Sequence, residues 1–584
     1  MLVLGGGCGG VAAAWALSRT PELRRRFEVT VVQPGWRLGG KGATGRDPRR
    51  GHGVLEHGLH LWLGFYRQAF GMMRDLYDDW RGPSAGPQES IETAFSPMRH
   101  VVLWGGSAAG PRRWSMTFPE HPGRPWDDET TSSTLDHLGL ALRWARDLPT
   151  FVQGDAQASR VLAGLGATIA RGLLREHMAG RADCWSRMDE LDLRAWLRLH
   201  GATEDHVQAP PIVALYDLGF AYPEGRMDPE NGRVAAGTAL RVLLRIFGSY
   251  RGAPFWRMTA GMGDTVFAPA WEVLRQRGVH FRLFHRVRHL GLRGDCIARV
   301  ELGVQARDAA HYDPLVEVGP VRAWPHAPVV SRLRSIVSGN LESDVTDELD
   351  RITLHRGQEF DDIVLAIPST AHHHFARELV ESNPRYAAMV RHTHAVATLS
   401  AQLWLARSYN QLGRGDAPAI ETGLPDLFRT CADMSEVLDA ERWFPRPAAL
   451  AYLCSVAPPE LQVVRDHERA EPLARARLRQ WADRSLHRLW PGGRTVGGAL
   501  DESILHCSSG ANPWEQQYVR ANVADWERYV LSLPGTTRHR LAPDASGFRN
   551  LVLAGDWTDN SINGGSVEGA VSSGVAAAEA LMRR

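Results

Sequence analysis

The sequence of 584 residues predicts an α/β protein in which a discontinuous Rossmann-like domain carries an inserted domain of mixed α+β structure. Two observations predict this fold class. A glycine-rich turn at residues 5–10 separates an apolar strand from a helical pattern, and a turn with glycine and a carboxylate follows an apolar strand near the carboxyl terminus. Both ends of the chain are therefore expected to meet in one parallel sheet, at whose carboxyl edge ligands bind.

The domain boundaries follow from where these segments lie. We assign residues 1–80, 255–305, 355–370 and 545–584 to the Rossmann-like domain. The inserted domain, which would bind the substrate, takes residues 81–254 and 371–544. Residues 306–354 contain several prolines in an irregular pattern, so we expect them to form an excursion over the surface.

Composition excludes several classes of protein. The chain is 44% apolar and 23% charged, as in folded globular proteins, and its net charge of +1 gives no electrostatic basis for binding nucleic acid. Its 6 cysteines form no C-x-x-C pair, which argues against a disulfide framework and a zinc site. We therefore expect a cytoplasmic protein.

Membrane contact is the open question of location. No stretch reaches the roughly 18 uninterrupted apolar residues of a membrane span. The longest apolar run, Val161 to Ala170, is closed by Arg160 and Arg171. We predict a helix packed on the protein's own core, with peripheral membrane contact as the alternative.

The first sixty residues carry a dinucleotide-binding pattern. The apolar run at residues 2–4 is too short for a signal peptide and is interpreted as a strand. In the G-x-G-x-x-G turn that follows, Gly5 permits the tight bend, Gly7 lets a pyrophosphate approach the backbone, and Gly10 allows close helix packing. A β-branched segment at residues 27–32 completes the βαβ unit.

Two further features belong to this unit. Gln33 stands at the end of the second strand, where a Glu or Asp normally accepts hydrogen bonds from the ribose hydroxyls, and its amide oxygen is a weaker acceptor. The sequence then runs Arg37-Leu38-Gly39-Gly40-Lys41, whose paired glycines and flanking cations suit a second approach to the dinucleotide. Lys41 is the single lysine among 67 basic residues.

The carboxyl-terminal segment supplies the other half of the site. The apolar strand at residues 550–554 runs into Gly555 and Asp556. A helix of small residues begins at Val567 and Glu568, and its amino terminus would face a flat ring or its phosphates.

Together these motifs resemble the flavin amine oxidase superfamily, with its G-x-G-x-x-G, R-x-G-G and A-G-D-x-T…E-G-A-x-x-S-G segments. The resemblance implies FAD as cofactor, Asp556 as ligand of the ribityl chain or pyrophosphate, and the Val567–Glu568 helix start beneath the isoalloxazine ring. Residues 261–287 are similar to a family segment whose strand-end valine pairs with adenine. That role falls on Val287.

One segment indicates a branch of the superfamily. Residues 56–70 are similar to the G-L-H-x-F-x-G-x-Y-x-N-x-F stretch of plant-type phytoene and zeta-carotene desaturases, with Trp62 and Gln68 as replacements. This resemblance implies removal of hydride from a hydrophobic substrate, an isoprenoid or polyene. Tryptophans throughout the chain offer apolar walls for such a substrate: Trp104, Trp114, Trp185, Trp196 and Trp256.

Two alternatives stay open on the same scaffold. A flavin amine or amino-acid oxidase is the chief rival, although the chain has no lysine besides Lys41 and no aromatic residue just before Gly564. A non-redox flavin isomerase or dehydroxylase is the other. The electron acceptor, oxygen or quinone, is not determined by the sequence.

Histidines supply the candidate catalytic and metal-binding groups. His57 and His60 are three apart, so they would share one side of a helix near the flavin, either as catalytic groups or as core residues. The run from His372 to His374 suggests a metal site, but adjacent residues do not face one ligand on a helix or strand. We expect a solvated helix start there and no metal.

Overall fold

The computed structural model describes residues 1–105, 112–127, 151–152, 155–178, 184–343, 347–414, 420–507 and 512–584. The predicted α/β class with a Rossmann-like domain is confirmed. Parts of the predicted inserted domain lie outside the described residues.

The Rossmann-like domain is built on a five-stranded parallel sheet, which we call the nucleotide sheet. The strands stand in the spatial order His280–Arg282, Thr30–Val32, Leu2–Leu4, Ile363–Leu365 and Leu551–Leu553. All four sequence segments assigned to this domain contribute a strand. The second strand is shorter than the predicted segment at 27–32, because Phe27 ends a helix at Pro21–Arg26.

The two faces of the nucleotide sheet bury different layers, as expected for a sheet covered on both sides. Val3 packs into the core formed with the helices Cys8–Ser18 and Val567–Met582. Leu2 and Leu4 point the other way, into a core shared with the antiparallel strands His285–Arg293 and Cys296–Val304. The glycine-rich turn therefore leaves the sheet between two filled layers.

The inserted domain contains a seven-stranded sheet that is antiparallel except for one pair. Its strands, in spatial order, are Tyr518–Asn522, Thr398–Leu405, Ala449–Val456, Thr430–Asp433, Ile420–Thr422, His100–Gly105 and Arg112–Thr117. Smaller strands complete the molecule: Thr44–Asp47, Gly53–Glu56, Trp62–Leu63, Phe95–Met98, Phe255–Met258, Ala306–Arg307, Val316–Val318, Val321–Ala323, Ser335–Ile336, Asp350–His355, Ala395–Val396 and Tyr529–Val530.

Helices surround both sheets. The longer ones among the described residues are Arg67–Asp79, Ala156–Met178, Pro210–Leu218, Ala236–Gly248, Ala268–Gln276, Pro384–His392 and His467–Leu489. Shorter helices are Ile91–Ala94, Cys184–Met188, Leu193–Leu199, Glu204–Val207, Arg377–Ser382, Pro459–Gln462 and Pro513–Gln516.

The apolar run at 161–170 lies within the helix Ala156–Met178. Leu162, Leu165 and Ile169 on its inner side are buried in the protein's own core, as predicted, whereas Leu174 on its outer side is 63% exposed. Among the described residues, no helix is both long enough and apolar enough to cross a bilayer.

Residues 306–354, which we predicted to form an excursion over the surface, are anchored to the rest of the protein at several points. Trp324 and Leu315 are fully buried, and the backbone carbonyl of Trp324 accepts a hydrogen bond from Arg46 N at 2.8 Å. Glu342 forms an ion pair with Arg37 of the Rossmann-like domain. Prolines and polar residues indicated a loop in this segment. The buried side chain of Trp324 and the Arg37–Glu342 ion pair anchor the segment to the rest of the protein.

Candidate functional site

A cavity of about 480 Å³ runs along the carboxyl edge of the nucleotide sheet. Gly5, Gln33 and Ala366, which directly follow three of its strands, line this cavity, as does Gly555, two residues after the end of a fourth. Parallel strands end at the same edge, so this arrangement places both ends of the chain at one site, as the motifs predicted.

Two glycine turns form the part of the cavity where the sequence predicts a pyrophosphate, and we call them the glycine cradle: residues 5–7 and 39–40. Gly5, Gly39 and Gly40 have φ values of +110°, +125° and +56°, a region in which residues with a side chain are strained. Gly39 N donates to Gly6 O at 2.9 Å and ties the turns together. A Cβ atom on Gly7 would lie 3.8 Å from Gly39 O, so the space beside Gly7 is open.

Gly10 has the packing role that the sequence predicted. A Cβ atom there would lie 1.9 Å from Gly5 O, and Gly10 does not line the cavity. It belongs to the helix Cys8–Ser18, whose first turn faces the cavity through Gly7 and Cys8. Backbone N–H groups at this helix start are available to an anion.

Gln33 lines the cavity, but its oxygen already has a partner. Gly6 N donates to Gln33 Oε1 at 2.7 Å. The side-chain amide therefore leaves its N–H₂ group for a ribose hydroxyl, whereas the sequence suggested its oxygen as the acceptor. Gln33, which stands where a carboxylate is usual, thus also holds the glycine turn in place through its bond from Gly6 N.

Lys41 and Asp556 meet across the cradle from opposite ends of the chain. Lys41 Nζ lies 2.6 Å from Asp556 Oδ2, and both residues line the cavity. The carboxyl-terminal helix begins at Val567, and Ser566 Oγ accepts from Gly569 N at 3.0 Å. Val567 lies at the cavity wall, as does Val287 at the far end.

Arg37 and Glu568 were predicted to bind the cofactor, but both have other partners in the structure, so these two predictions are corrected. Arg37 Nε and Nη2 each lie 2.7 Å from a carboxylate oxygen of Glu342, and Arg37 does not line the cavity. Glu568 accepts hydrogen bonds from Gln68 N and Ala69 N at 3.0 and 2.9 Å. It therefore caps the helix Arg67–Asp79 instead of facing the cavity.

His57 and His60 both line the cavity, but the predicted helix is absent there. They lie in the loop between strands Gly53–Glu56 and Trp62–Leu63. His60 Nδ1 lies 2.9 Å from Glu56 Oε2, and its Nε2 lies 3.3 Å from Lys41 O. Glu56 is buried and also accepts from Met262 N, so it holds the imidazole in one orientation.

His57 is buried beside a permanent cation. Burial lowers the pKa of His57 well below its usual range, and the charges of Arg520 and Arg37 lower it further. The Arg37 guanidinium can only donate, so His57 Nε2, at 3.2 Å, must accept and the ring proton lies on Nδ1. Among the described residues, Nδ1 has no hydrogen-bond partner.

Beyond the cradle, the cavity continues between the two domains as the apolar compartment. Its walls carry aliphatic and aromatic side chains from several helices and strands: Leu59, Leu61, Leu215, Phe220, Val242, Ile246, Phe255 and Ile420. Helices Pro210–Leu218 and Ala236–Gly248 supply three of them, Leu215, Val242 and Ile246, and no sequence motif marked these residues.

The tryptophans that the sequence suggested as walls do not line the cavity. Trp196 and Trp256 are buried in packed cores, and Trp114 is almost as deeply buried. Trp104 and Trp185 also lie away from the cavity. The aromatic contribution to the cavity comes instead from other rings: Phe65, Tyr66, Phe220, Phe255, Phe375, Trp526, Tyr529 and Trp557.

The histidine run at 372–374 lies in a 3₁₀ turn at Ser369–His374. His372 is buried and lies 2.9 Å from the hydroxyl of Tyr386, so the predicted solvated helix start is wrong for this residue. His373 and His374 are exposed and both face Asp525. The expectation that adjacent histidines cannot share a ligand fails, because their rings pack 3.9 Å apart in this turn.

The residues present fit FAD. The glycine cradle leaves room that a single Cβ atom on Gly7 would begin to fill, and Lys41 and Asp556 meet across it. Gln33, Val287, Val567 and Gly42 line the same cavity. By the resemblance, Gln33 and Val287 would face the adenosine and Val567 the flavin ring.

Comparisons with known proteins agree with this geometry. Residues 3–76 match the family model described as NAD(P)-binding Rossmann-like domain, and residues 331–582 match the one described as Flavin containing amine oxidoreductase. No curated protein sequence matches the chain. The chain therefore carries a Rossmann-like segment and a flavin-containing amine oxidoreductase segment, each contributing strands to the nucleotide sheet.

Solved structures share the fold along the whole chain. An oxidoreductase from Methanosarcina mazei has a TM-score of 0.53 at 11% identity, covering 100% of this chain and 99% of its own. Cyclohexylamine oxidase from Brevibacterium oxydans IH-35A has a TM-score of 0.51 at 13% identity, with coverages of 100% and 99%. A triple mutant of putrescine oxidase has a TM-score of 0.51 at 13% identity, with coverages of 100% and 98%. At these identities the likeness shows the fold alone.

Proposed function

We propose that this chain is an FAD-dependent oxidoreductase that removes hydride from a long apolar substrate, an isoprenoid or polyene. FAD binding is supported by the glycine cradle, the Lys41–Asp556 pair and the matched flavin-containing family segment. The apolar substrate is supported by the compartment that continues from the cradle.

The proposed substrate class rests on the carboxylates that line the cavity. Asp556 and Glu527 line it, and each already has a cationic partner: Lys41 for Asp556, and Arg520 with His467 for Glu527. Within the described part of the chain, no other acidic side chain lines the cavity. A substrate ammonium would therefore be desolvated without a free carboxylate, which is costly, whereas a hydrocarbon would not.

The chemistry divides between cofactor and protein. A bound FAD would supply the hydride-accepting N5 of its isoalloxazine ring. The substrate also loses a proton from the neighbouring carbon, so that a carbon–carbon double bond forms. The protein then has to hold the chain beside the ring, exclude water with its aliphatic walls, and offer a place for the proton.

We propose His60 as the group that takes that proton, through Nε2, which then gives up its 3.3 Å contact with Lys41 O. It lines the cavity, and Glu56 Oε2 at 2.9 Å fixes the orientation of its ring. Burial and the charges of Arg520 and Arg37 lower the pKa of His57 and keep its ring neutral, so we assign it a positioning role in the cavity wall. Positioning contributes more to such a reaction than proton transfer does.

The discriminating experiment is anaerobic bleaching of the flavin absorbance. The purified protein is mixed with a panel of detergent-dispersed polyenes and isoprenoids and, in parallel, with primary amines and amino acids. Bleaching by a member of the first panel is expected, followed by reoxidation with oxygen or a quinone. Rapid bleaching by an amine, with none by any lipid, would favour an amine oxidase. Conversion of a lipid without bleaching would indicate the non-redox alternative.

The histidines can be tested on the same assay. His57→Gln and His60→Gln, each singly, are expected to slow bleaching far less than removal of FAD does, because the flavin takes the hydride and general acid–base assistance supplies about 10²–10⁴-fold. Removal of FAD should abolish the reaction. Loss of activity in His60→Gln as complete as in the apoprotein would show that proton transfer to this imidazole is essential.

A further inference from the structure

Two adjacent imidazoles and one carboxylate converge on the surface beside the cavity. His373 Nε2 and His374 Nε2 lie 3.4 and 3.1 Å from the same oxygen, Oδ2 of Asp525. One nitrogen from each histidine and one oxygen of Asp525 all lie within 4.8 Å of one another. The proposed oxidoreductase chemistry uses none of these three groups.

The spacing fits a metal ion. Zn²⁺ holds nitrogen and oxygen ligands at about 2.0–2.2 Å in a tetrahedron, which separates any two ligand atoms by about 3.3–3.5 Å. The two measured nitrogen-to-oxygen distances, 3.4 and 3.1 Å, agree with this separation within a few tenths of an ångström. Imidazole and carboxylate are ligands that suit a divalent transition metal.

The carboxylate is held in place from its other side. Arg465 Nε lies 3.0 Å from Asp525 Oδ1, which leaves Oδ2 directed at the two imidazoles. Thr370 Oγ1 donates to the backbone carbonyl of Asp525 at 2.6 Å and ties its loop to the histidine turn. Such outer hydrogen bonds to a ligating carboxylate typically orient it for a metal.

The three groups also join separate parts of the fold. The histidines follow the strand Ile363–Leu365 of the nucleotide sheet, and Asp525 follows the strand Tyr518–Asn522 of the inserted domain. His374 lines the cavity, as do the two residues that follow Asp525. An ion at this place would connect the turn that follows the nucleotide sheet with the loop that follows the seven-stranded sheet, beside the cavity.

We propose that His373, His374 and Asp525 bind one divalent transition metal ion of the Zn²⁺ class, with the remaining coordination position open to water. The imidazoles are 57% and 36% exposed, so the ion can enter without a change of fold. The competing explanation is that both histidines merely form ion pairs or hydrogen bonds with Asp525.

The test is titration of the flavin-loaded, full-length protein with ZnCl₂ by calorimetry, with thermal unfolding as a second readout. We compare it with His373→Gln, which removes the most exposed ligand, and with His280→Gln as matched control. His280 is also an exposed histidine near a carboxylate, with Glu28 at 3.9 Å, but it belongs to no such cluster.

We expect one saturable Zn²⁺ equivalent per chain that raises the unfolding temperature, because binding to the folded state stabilises it. His373→Gln should weaken this equivalent at least tenfold and remove the thermal shift, while its flavin spectrum and metal-free unfolding temperature stay those of the parent. His280→Gln should bind as the parent does. Absence of a saturable equivalent, or an equivalent that persists unchanged in both His373→Gln and His374→Gln, would overturn the proposal.

Discussion

Gly7 offers the sharpest test of the glycine cradle, because the space beside it is open while the space beside Gly10 is not. A Cβ atom on Gly7 would lie 3.8 Å from Gly39 O and 3.9 Å from Gly40 Cα, which are ordinary contacts. Its φ of −79° and ψ of −176° are accessible to alanine. Gly7→Ala should therefore leave the folded apoprotein essentially as stable as the parent.

The cofactor should respond differently. The added methyl group would occupy the path by which a pyrophosphate approaches the backbone, so at least one charge-assisted hydrogen bond would be lost. That loss costs about 1.5–3 kcal/mol, a weakening of FAD binding on the order of 10-fold to 150-fold. Gly7→Val, with a larger side chain, should weaken binding further.

The assay is flavin fluorescence titration of apoprotein, run beside thermal unfolding of the same samples. Gly10→Ala serves as the contrast, since its Cβ would lie 1.9 Å from Gly5 O and should lower the unfolding temperature. Gly71→Ala, with no atom within 4 Å of its Cβ, serves as the neutral control. Parent-like FAD affinity in both Gly7 variants would refute the placement of the pyrophosphate in the cradle.

Three further predictions follow from neighbouring contacts. Asp556→Ala should lower flavin occupancy of the purified protein, with FAD binding weakened about tenfold by loss of a charge-assisted hydrogen bond; occupancy near one per chain would contradict the assignment. Gln33→Glu should tighten FAD by about 1 kcal/mol, because one oxygen can keep the bond from Gly6 N while the other accepts from the ribose; weaker binding in fluorescence titration would show that the amide N–H₂ is required. Burial raises the pKa of Glu568 from 4.5 to about 7. The protonated side chain therefore stabilises the folded protein fully below pH 4.5, and this stabilisation is lost as pH rises through 7. The free energy of unfolding should fall by at most about 3 kcal/mol over this range. Unfolding temperatures of Glu568→Gln from pH 5 to 8 should vary less than those of the parent, and an equal slope would contradict the raised pKa.

Several features of the fold could be read directly from the residues. The turn at Gly5 and Gly7, the pair Gly39–Gly40 and the Gly555–Asp556 turn each require a particular local backbone, and a backbone requirement is visible in sequence. The structure places all of these at one cavity. Parallel strands end at a common edge, so the sequence order of the motifs was enough to predict that the two ends of the chain meet.

Side-chain partners distant in sequence could not be predicted in this way. Arg37 looked like a cofactor ligand because of its neighbours Gly39 and Gly40, yet its Nε and Nη2 donate to Glu342, which is 305 residues away in sequence. Glu568 likewise caps a helix at Gln68, 500 residues away in sequence. A buried charge needs a partner, but the sequence does not say which residue the fold brings to it.

The sequence by itself determined the nucleotide half of the site, and the tertiary structure alone decided the substrate half and the histidine cluster. Glycine turns are local, since their φ values and close approaches are set by a few consecutive residues. The apolar compartment is not determined locally. Leu215, Val242 and Ile420 look like ordinary core residues in the sequence, and only the folded structure shows that they face a space enclosed by several elements. His373 and Asp525 meet for the same reason: a short turn and a loop about 150 residues away converge only when the nucleotide sheet and the seven-stranded sheet are both in place.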